Sequence, residues 1–237
     1  MIQLPDSSQR QLILGKTGSG KTRAACWNLA MRDLNAAPWI VLNHKGEKLI
    51  DGVPGAQHVD LDFTPEEPGL YIYHPIPQVD DAMVTDLLWR IHRRENCGIY
   101  IDEGYMVDKR DPALQAILTQ GRSKHIPMII LSQRPMWLTR FAISESDYYQ
   151  VFQLNDRDDR DRIKSFIPTD LEYWMMTQVN NPPRLPKFHS LWYDVGRNEL
   201  VVMQPVPDDN FILSLFERQL VYKGVDPEES PPRFTFI

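Results

Sequence analysis

Eight consecutive residues, Gly15, Lys16, Thr17, Gly18, Ser19, Gly20, Lys21 and Thr22, constrain this chain more than any other stretch. Glycines at 15, 18 and 20 let the backbone turn successive N–H groups toward one point. A helix beginning directly afterwards adds positive potential there, so the loop is suited to holding phosphate. The flanks agree: residues 11–14 (QLIL) read as a short buried strand, and Thr22-Arg23-Ala24-Ala25-Cys26-Trp27 opens a helix. The spacing G-x-x-x-x-G-K-T sets the Lys21 ammonium against the β- and γ-phosphates of a nucleoside triphosphate and makes the Thr22 hydroxyl a Mg²⁺ ligand. ATP and Mg²⁺ are the expected cofactors, with residues 15–22 as the binding loop.

Short β-rich apolar runs alternate with longer amphipathic segments, the pattern of an α/β fold whose mainly parallel sheet is flanked by helices. Strands are expected over 11–14, 39–43, 57–62, 70–73, 97–102, 128–132 and 149–154, and helices over 21–34, 79–93, 112–123 and 157–166. Three prolines within 182–186 exclude helix and mark an extended connector. Beyond it, 187–193 and 199–204 flank a DVGRN turn as a hairpin, and 208–220 reads as a helix capped by its aspartates. The expected organisation is therefore a core over 1–180 and a C-terminal extension over 181–237. A tail rich in Pro and Glu at 226–232 is expected to be mobile.

A phosphate loop alone would serve a kinase, a GTPase or a transporter subunit, so the rest of the site decides. Cys97-Gly98-Ile99-Tyr100-Ile101 is an apolar strand ending in Asp102 and Glu103. The first acid can hold Mg²⁺, and the second can polarise the water that attacks the γ-phosphate, which points to hydrolysis rather than transfer to an acceptor. Ile129-Ile130-Leu131-Ser132 leads to Gln133, whose amide is placed to contact the γ-phosphate or that water. No LSGGQ-like signature is present.

The balance of 26 Lys+Arg against 32 Asp+Glu gives a net charge of −6, so nucleic acid is not drawn by a global basic field and any contact must be local. The two cysteines, Cys26 and Cys97, lie in a helix and at a strand start with no CxxC, and are expected to be buried, reduced thiols. His44, His74 and His125 show neither HxH nor HExxH spacing, so hydrogen bonding rather than a metal cluster is expected. The N-terminal MIQLPDSSQRQ lacks the apolar stretch of a signal peptide, no run reaches membrane-span length, and a soluble chain follows as the expectation. The run 156–162 (DRDDRDR) nearly alternates in sign and reads as a solvated helix face, and Trp137 reads as a core residue.

The phosphate loop, the Asp102-Glu103 pair and Ser132-Gln133-Arg134-Pro135 after a strand together resemble the FtsK–HerA superfamily of DNA-pumping ATPases. Asn43-His44-Lys45-Gly46-Glu47 looks like the Asp-Pro-Lys-Gly-Glu run of many members, departing at its first two residues, and Gln120-Gly121-Arg122 matches a Gly-Arg pair that precedes the Gln-bearing strand. The likeness spans about residues 10–155. It implies a RecA-like fold, a homo-hexameric ring and double-stranded DNA in the pore. It makes Arg122 the first candidate for an arginine completing the neighbour's site, with Arg134, Arg157, Arg160 and Arg162 as alternatives. It places Lys109 and Arg110 in a pore loop as DNA contacts, so Lys21, Glu103, Gln133 and Arg122 form the expected catalytic set. Small size makes the chain similar to the compact genome-packaging ATPases of membrane-containing icosahedral viruses. That implies capsid-vertex or portal partners, a membrane-associated vertex among them, and action in the host cytoplasm during assembly or at the virion's packaging vertex. A Zot-like assembly or secretion ATPase and a DNA-transfer coupling ATPase are the competing readings.

Overall fold

The computed structural model describes residues 3–176 and 182–222. In chain order these form β1 (Arg10–Leu14), α1 (Lys21–Ala30), β2 (Pro38–Asn43), α2 (Lys48–Asp51), β3 (Gln57–His58), β4 (Gly69–Tyr73), α3 (Asp81–Arg94), β5 (Gly98–Asp102), α4 (Pro112–Gln120), β6 (Met128–Ser132), α5 (Arg140–Ser144), β7 (Tyr148–Val151), α6 (Arg157–Lys164), α7 (Leu171–Met175), β8 (Ser190–Asp194), β9 (Glu199–Met203) and α8 (Asp209–Leu220). The mobile tail expected at 226–232 lies outside the described residues.

All nine strands join one sheet in the order β3-β4-β2-β5-β6-β1-β7-β8-β9. The strands from β3 to β7 are parallel, whereas β8 and β9 are antiparallel to their neighbours. Both faces are covered, which is why β1, β2, β4, β5 and β6 are buried along their whole length and read as continuous apolar runs. Alternate residues still divide between two cores, as the two-residue strand period requires. Leu12, Ile40, Ile99 and Ile130 face α3 and α4 through Leu87, Leu88, Leu114 and Ile117. Ile13, Val41, Tyr100 and Ile129 face α1 and α8 through Ala25, Leu29, Ile212 and Phe216.

The hairpin β8–β9 continues the main sheet, with Tyr149 opposite Tyr193 and Val151 opposite Leu191. Helix α8 packs on α1: Gln219 Nε2 donates to the Ala30 carbonyl (2.7 Å), and Arg23 pairs with Asp209 (2.6 Å). The sheet's tight packing shows at Gly98, where an added Cβ would come within 2.1 Å of the Trp39 ring directly across the strand pair. Gly98→Ala is expected to destabilise the fold by about 3 kcal/mol, the upper range for overpacking a core, measured by urea unfolding.

Several expectations need correction. The strand expected over 57–62 is only the two exposed residues Gln57–His58, at the sheet's edge. Helix α1 stops at Ala30, before the expected Leu34, in a turn where Asp33 Oδ1 accepts from Asn35 N. Helices α2, α5 and α7 have four or five residues, too few for helical periodicity to register. Trp137 is 52% exposed instead of buried: a 3₁₀ turn (Pro135–Trp137) carries it outward, against Tyr105 and beneath the Arg134 guanidinium. In the charged run, Asp159 and Arg160 are buried, because Asp159 pairs with Arg134 (2.8 Å) and Arg160 holds Glu172 and the carbonyls of Leu154 and Asn155. Cys26 and Cys97 are buried and free, and burial pushes the Cys97 thiol up to about 12. His74 meets His58 (3.2 Å) and Asp51 (3.5 Å). No described helix is long and apolar enough to cross a membrane.

Candidate active site

Parallel strands deliver their C-terminal ends to one edge of the sheet, and strand order decides which loops meet there. The strand β6 lies between β1 and β5. The Gln133 loop therefore emerges between the phosphate loop and the acidic pair, although the three stretches are far apart in sequence.

The phosphate loop is fastened on both sides: Gly15 N donates to the Ser132 carbonyl (3.2 Å) and Lys16 N to the Gln153 carbonyl (2.9 Å). A Cβ on Gly15 would lie 2.6 Å from that of Phe152. Gly18 and Gly20 have left-handed φ of 72° and 100°, which a side chain would strain. Gly20 is also the N-cap of α1 and supplies no side-chain cap. The first N–H groups of the helix are thus left for a ligand, at the end where the helix dipole is positive.

A line of hydrogen bonds crosses the sheet edge. Thr17 Oγ1 donates to Gln133 Oε1 (2.6 Å), and Gln133 Nε2 donates to Glu103 Oε1 (2.6 Å). The Gln133 backbone N–H donates to Glu103 Oε2 (3.1 Å). Glu103 is wholly buried, with a left-handed backbone (φ 58°) that non-glycine residues seldom adopt except where surroundings enforce it. Its Oε1 also receives the Lys45 ammonium, with Lys21 Nζ at 3.6 Å. Burial draws the Lys21 ammonium below its usual range, against the opposing pull of Glu103.

Asp102 ends β5 beside Asn43 of β2 and is 1% exposed. Burial pushes its carboxyl up to about 7, although Lys45 favours the ionised form. Its Oδ2 has no hydrogen-bond partner, and His44 Nδ1 lies 3.0 Å from its backbone carbonyl. A buried carboxylate oxygen with no partner, on the same sheet edge as the Thr22 hydroxyl, is a donor set that fits a hard divalent cation.

Other expected residues stand apart. Arg122 follows α4 at the opposite edge of the sheet, is exposed, and lies 3.8 Å from Asp147, so it does not reach the site of its own chain. Lys109 and Arg110 are exposed on the same edge as the phosphate loop, between a 3₁₀ turn (Gly104–Met106) and α4. Arg134 is engaged by Asp156 and Asp159 within its own chain. Lys45 was not expected in the site. The run Asn43–Glu47 was noticed only for its likeness to a family motif; its turn is held by Glu47 N donating to Asn43 Oδ1 (2.9 Å), and Asn43 Nδ2 donating to Asp51 Oδ1 (2.7 Å) ties it to α2.

A phosphate loop, a paired acid two strands away and a glutamine on the strand between define the site of a P-loop ATPase. No family model matches the chain. It is 61% identical over 216 residues to the DNA packaging ATPase P9 of Enterobacteria phage PRD1, covering 91% of this chain and 95% of that protein. The chain belongs to the family of that packaging ATPase. Its fold is similar to the genome packaging NTPase B204 of Sulfolobus turreted icosahedral virus 2 in complex with ATP-gammaS (TM-score 0.65, 16% identity, 86% of this chain and 100% of that one). It is also similar to VirB4 of Thermoanaerobacter pseudethanolicus (TM-score 0.60, 11% identity, 84% of this chain and 90% of that one).

Proposed function

We propose that this chain is the ATP-hydrolysing motor that packages double-stranded viral DNA into a preformed capsid, working as a homo-hexameric ring at a capsid vertex. The observation that carries the hydrolytic part is the line Thr17–Gln133–Glu103, which joins the phosphate loop to the acid. In this reading residues 15–20 cradle the phosphates, Lys21 balances charge on the β- and γ-oxygens, and Glu103 orients and deprotonates the attacking water. Gln133 contacts phosphate loop and acid together, so loss of the γ-phosphate is felt at the loop that carries it. Thr22 and Asp102 would hold Mg²⁺, which when bound offsets charge on the phosphates. The products are ADP and phosphate.

In the same reading Arg122 serves the neighbouring subunit, consistent with its place far from the site of its own chain. Lys109 and Arg110 contact DNA phosphates; a ring repeats each charge, so a chain of net charge −6 can still line a basic pore. The test is ATP turnover with and without duplex DNA at several salt concentrations. Wild type is expected to be stimulated by DNA. Lys109→Ala with Arg110→Ala is expected to reduce stimulation, and to lower the slope of log affinity against log salt by about 1–2 for each subunit in contact, with ATP affinity unchanged. An unchanged slope removes these residues from the DNA path. Binding to procapsids rather than to a membrane complex distinguishes packaging from secretion, and a strict monomer in native mass measurements with DNA and an ATP analogue overturns the ring.

A further inference from the structure

A cavity of about 370 Å³ opens beside the phosphate loop, and its far wall comes from the segments flanking the β8–β9 hairpin. On one side lie Gly20, Lys21, Thr22 and Arg23; on the other lie Phe188, from the segment before β8, and Gln204, Pro205 and Val206, from the connector between β9 and α8. The second wall is firmly placed. Met203 just before it is buried, Val206 packs against the α1 and α8 core, and the Arg23–Asp209 pair clamps the start of α8 to the first turn of α1.

Phe188 is the unusual member. It adopts a left-handed backbone (φ 66°), rare for a bulky side chain, and the residue remains 45% exposed. The ring stands close over the loop, where a Cβ on Gly20 would meet it at 3.3 Å, and Lys187 Nζ lies 4.8 Å from its centroid. An aromatic held in a strained conformation and left open toward a cavity continuous with a phosphate cradle calls for a flat, neutral, apolar-faced ligand part. A nucleobase on the same molecule as the phosphates has those properties.

We propose that Phe188, with Pro205 and Val206, forms the base subsite of the nucleotide, so that the C-terminal hairpin supplies half of the ATP site. This rests on the reading of residues 15–22 as the phosphate cradle. Recognition is by stacking and apolar contact, which every base offers, so discrimination between ATP and GTP is weak while the base itself adds affinity. Of the polar side chains lining this space, buried Gln150 is already taken up by Asn28 Nδ2 (2.9 Å) and Ser190 Oγ (3.0 Å), and Gln204 Oε1 lies 3.1 Å from His189 Nε2, while Glu47 stands on the wall beside the phosphate loop.

The experiment compares equilibrium binding of ATP, GTP and inorganic tripolyphosphate, each with Mg²⁺, to the full chain and to Phe188→Ala and Phe188→Trp. Loss of one base–aromatic stack is expected to weaken ATP and GTP alike by roughly 5- to 150-fold in Phe188→Ala, with tripolyphosphate changed less than about 2-fold. Phe188→Trp is expected to restore ATP affinity, and its indole fluorescence to respond to ATP but not to tripolyphosphate. Equal weakening of ATP and tripolyphosphate, or no weakening of either, overturns the base subsite while leaving the phosphate cradle intact. Wild type that binds neither ATP nor tripolyphosphate overturns the cradle and the subsite together.

Discussion

Glu103→Gln is expected to lower ATP turnover by roughly 10²–10⁴-fold, the usual contribution of a positioned general base, while ATP still binds. The glutamine keeps the shape of the carboxylate but cannot take a proton from water. It also removes a negative charge that sits against Lys21 and Lys45, next to where the γ-phosphate would lie. Truncating one partner of a buried ion pair normally costs several kcal/mol. Here the phosphates themselves supply the missing counter-charge to Lys21, so ATP affinity is expected to stay level or rise, and the destabilisation to show mainly in the nucleotide-free chain. Stopped-flow binding of a fluorescent ATP analogue, single-turnover hydrolysis and thermal melting with and without nucleotide separate these effects. Turnover within 10-fold of wild type would give the base's role to another group.

Lys21→Ala is expected to produce the opposite signature: ATP fails to load, and the fold survives. Truncating one member of a desolvated, hydrogen-bonded charge pair costs about 2–5 kcal/mol of binding, or roughly 30- to several-thousand-fold in Kd. Lys21 is buried, its ammonium held against the preference of an isolated cation for water, so its removal relieves a desolvation penalty in the free chain. Glu103 keeps Lys45 and Gln133 as partners. Melting of the nucleotide-free variant is therefore expected to remain close to wild type while its stabilisation by ATP disappears. A variant that binds ATP normally would mean that the loop's N–H groups alone suffice.

The phosphate loop was readable in sequence because its physical requirements are local: glycines for left-handed turns, a lysine, a hydroxyl and an adjacent strand and helix, all within a dozen residues. The strands β1, β5 and β6 were readable for a similar reason, since burial on both faces leaves an unbroken apolar run. Trp137 and the 156–162 run were misjudged because residue type alone does not reveal that a proline turn exposes an indole, or that Asp159 and Arg160 find buried partners. Lys45 carried no signal of its own, as an exposed-looking lysine in a loop after a strand; its meaning comes from an acid 58 residues away.

By itself, then, the sequence determined the phosphate-loop pattern over 15–22, set between a strand and a helix, and a mainly parallel α/β fold. The tertiary structure alone decided what surrounds that loop. Placing β6 between β1 and β5 joins Thr17, Gln133 and Glu103 in one hydrogen-bonded line, and adding β8 and β9 beyond β7 brings Phe188 over Gly20. The physical reason is the range of the interactions: propensity and periodicity act over a few residues, whereas strand order is set by the simultaneous burial of both sheet faces, which no single segment encodes.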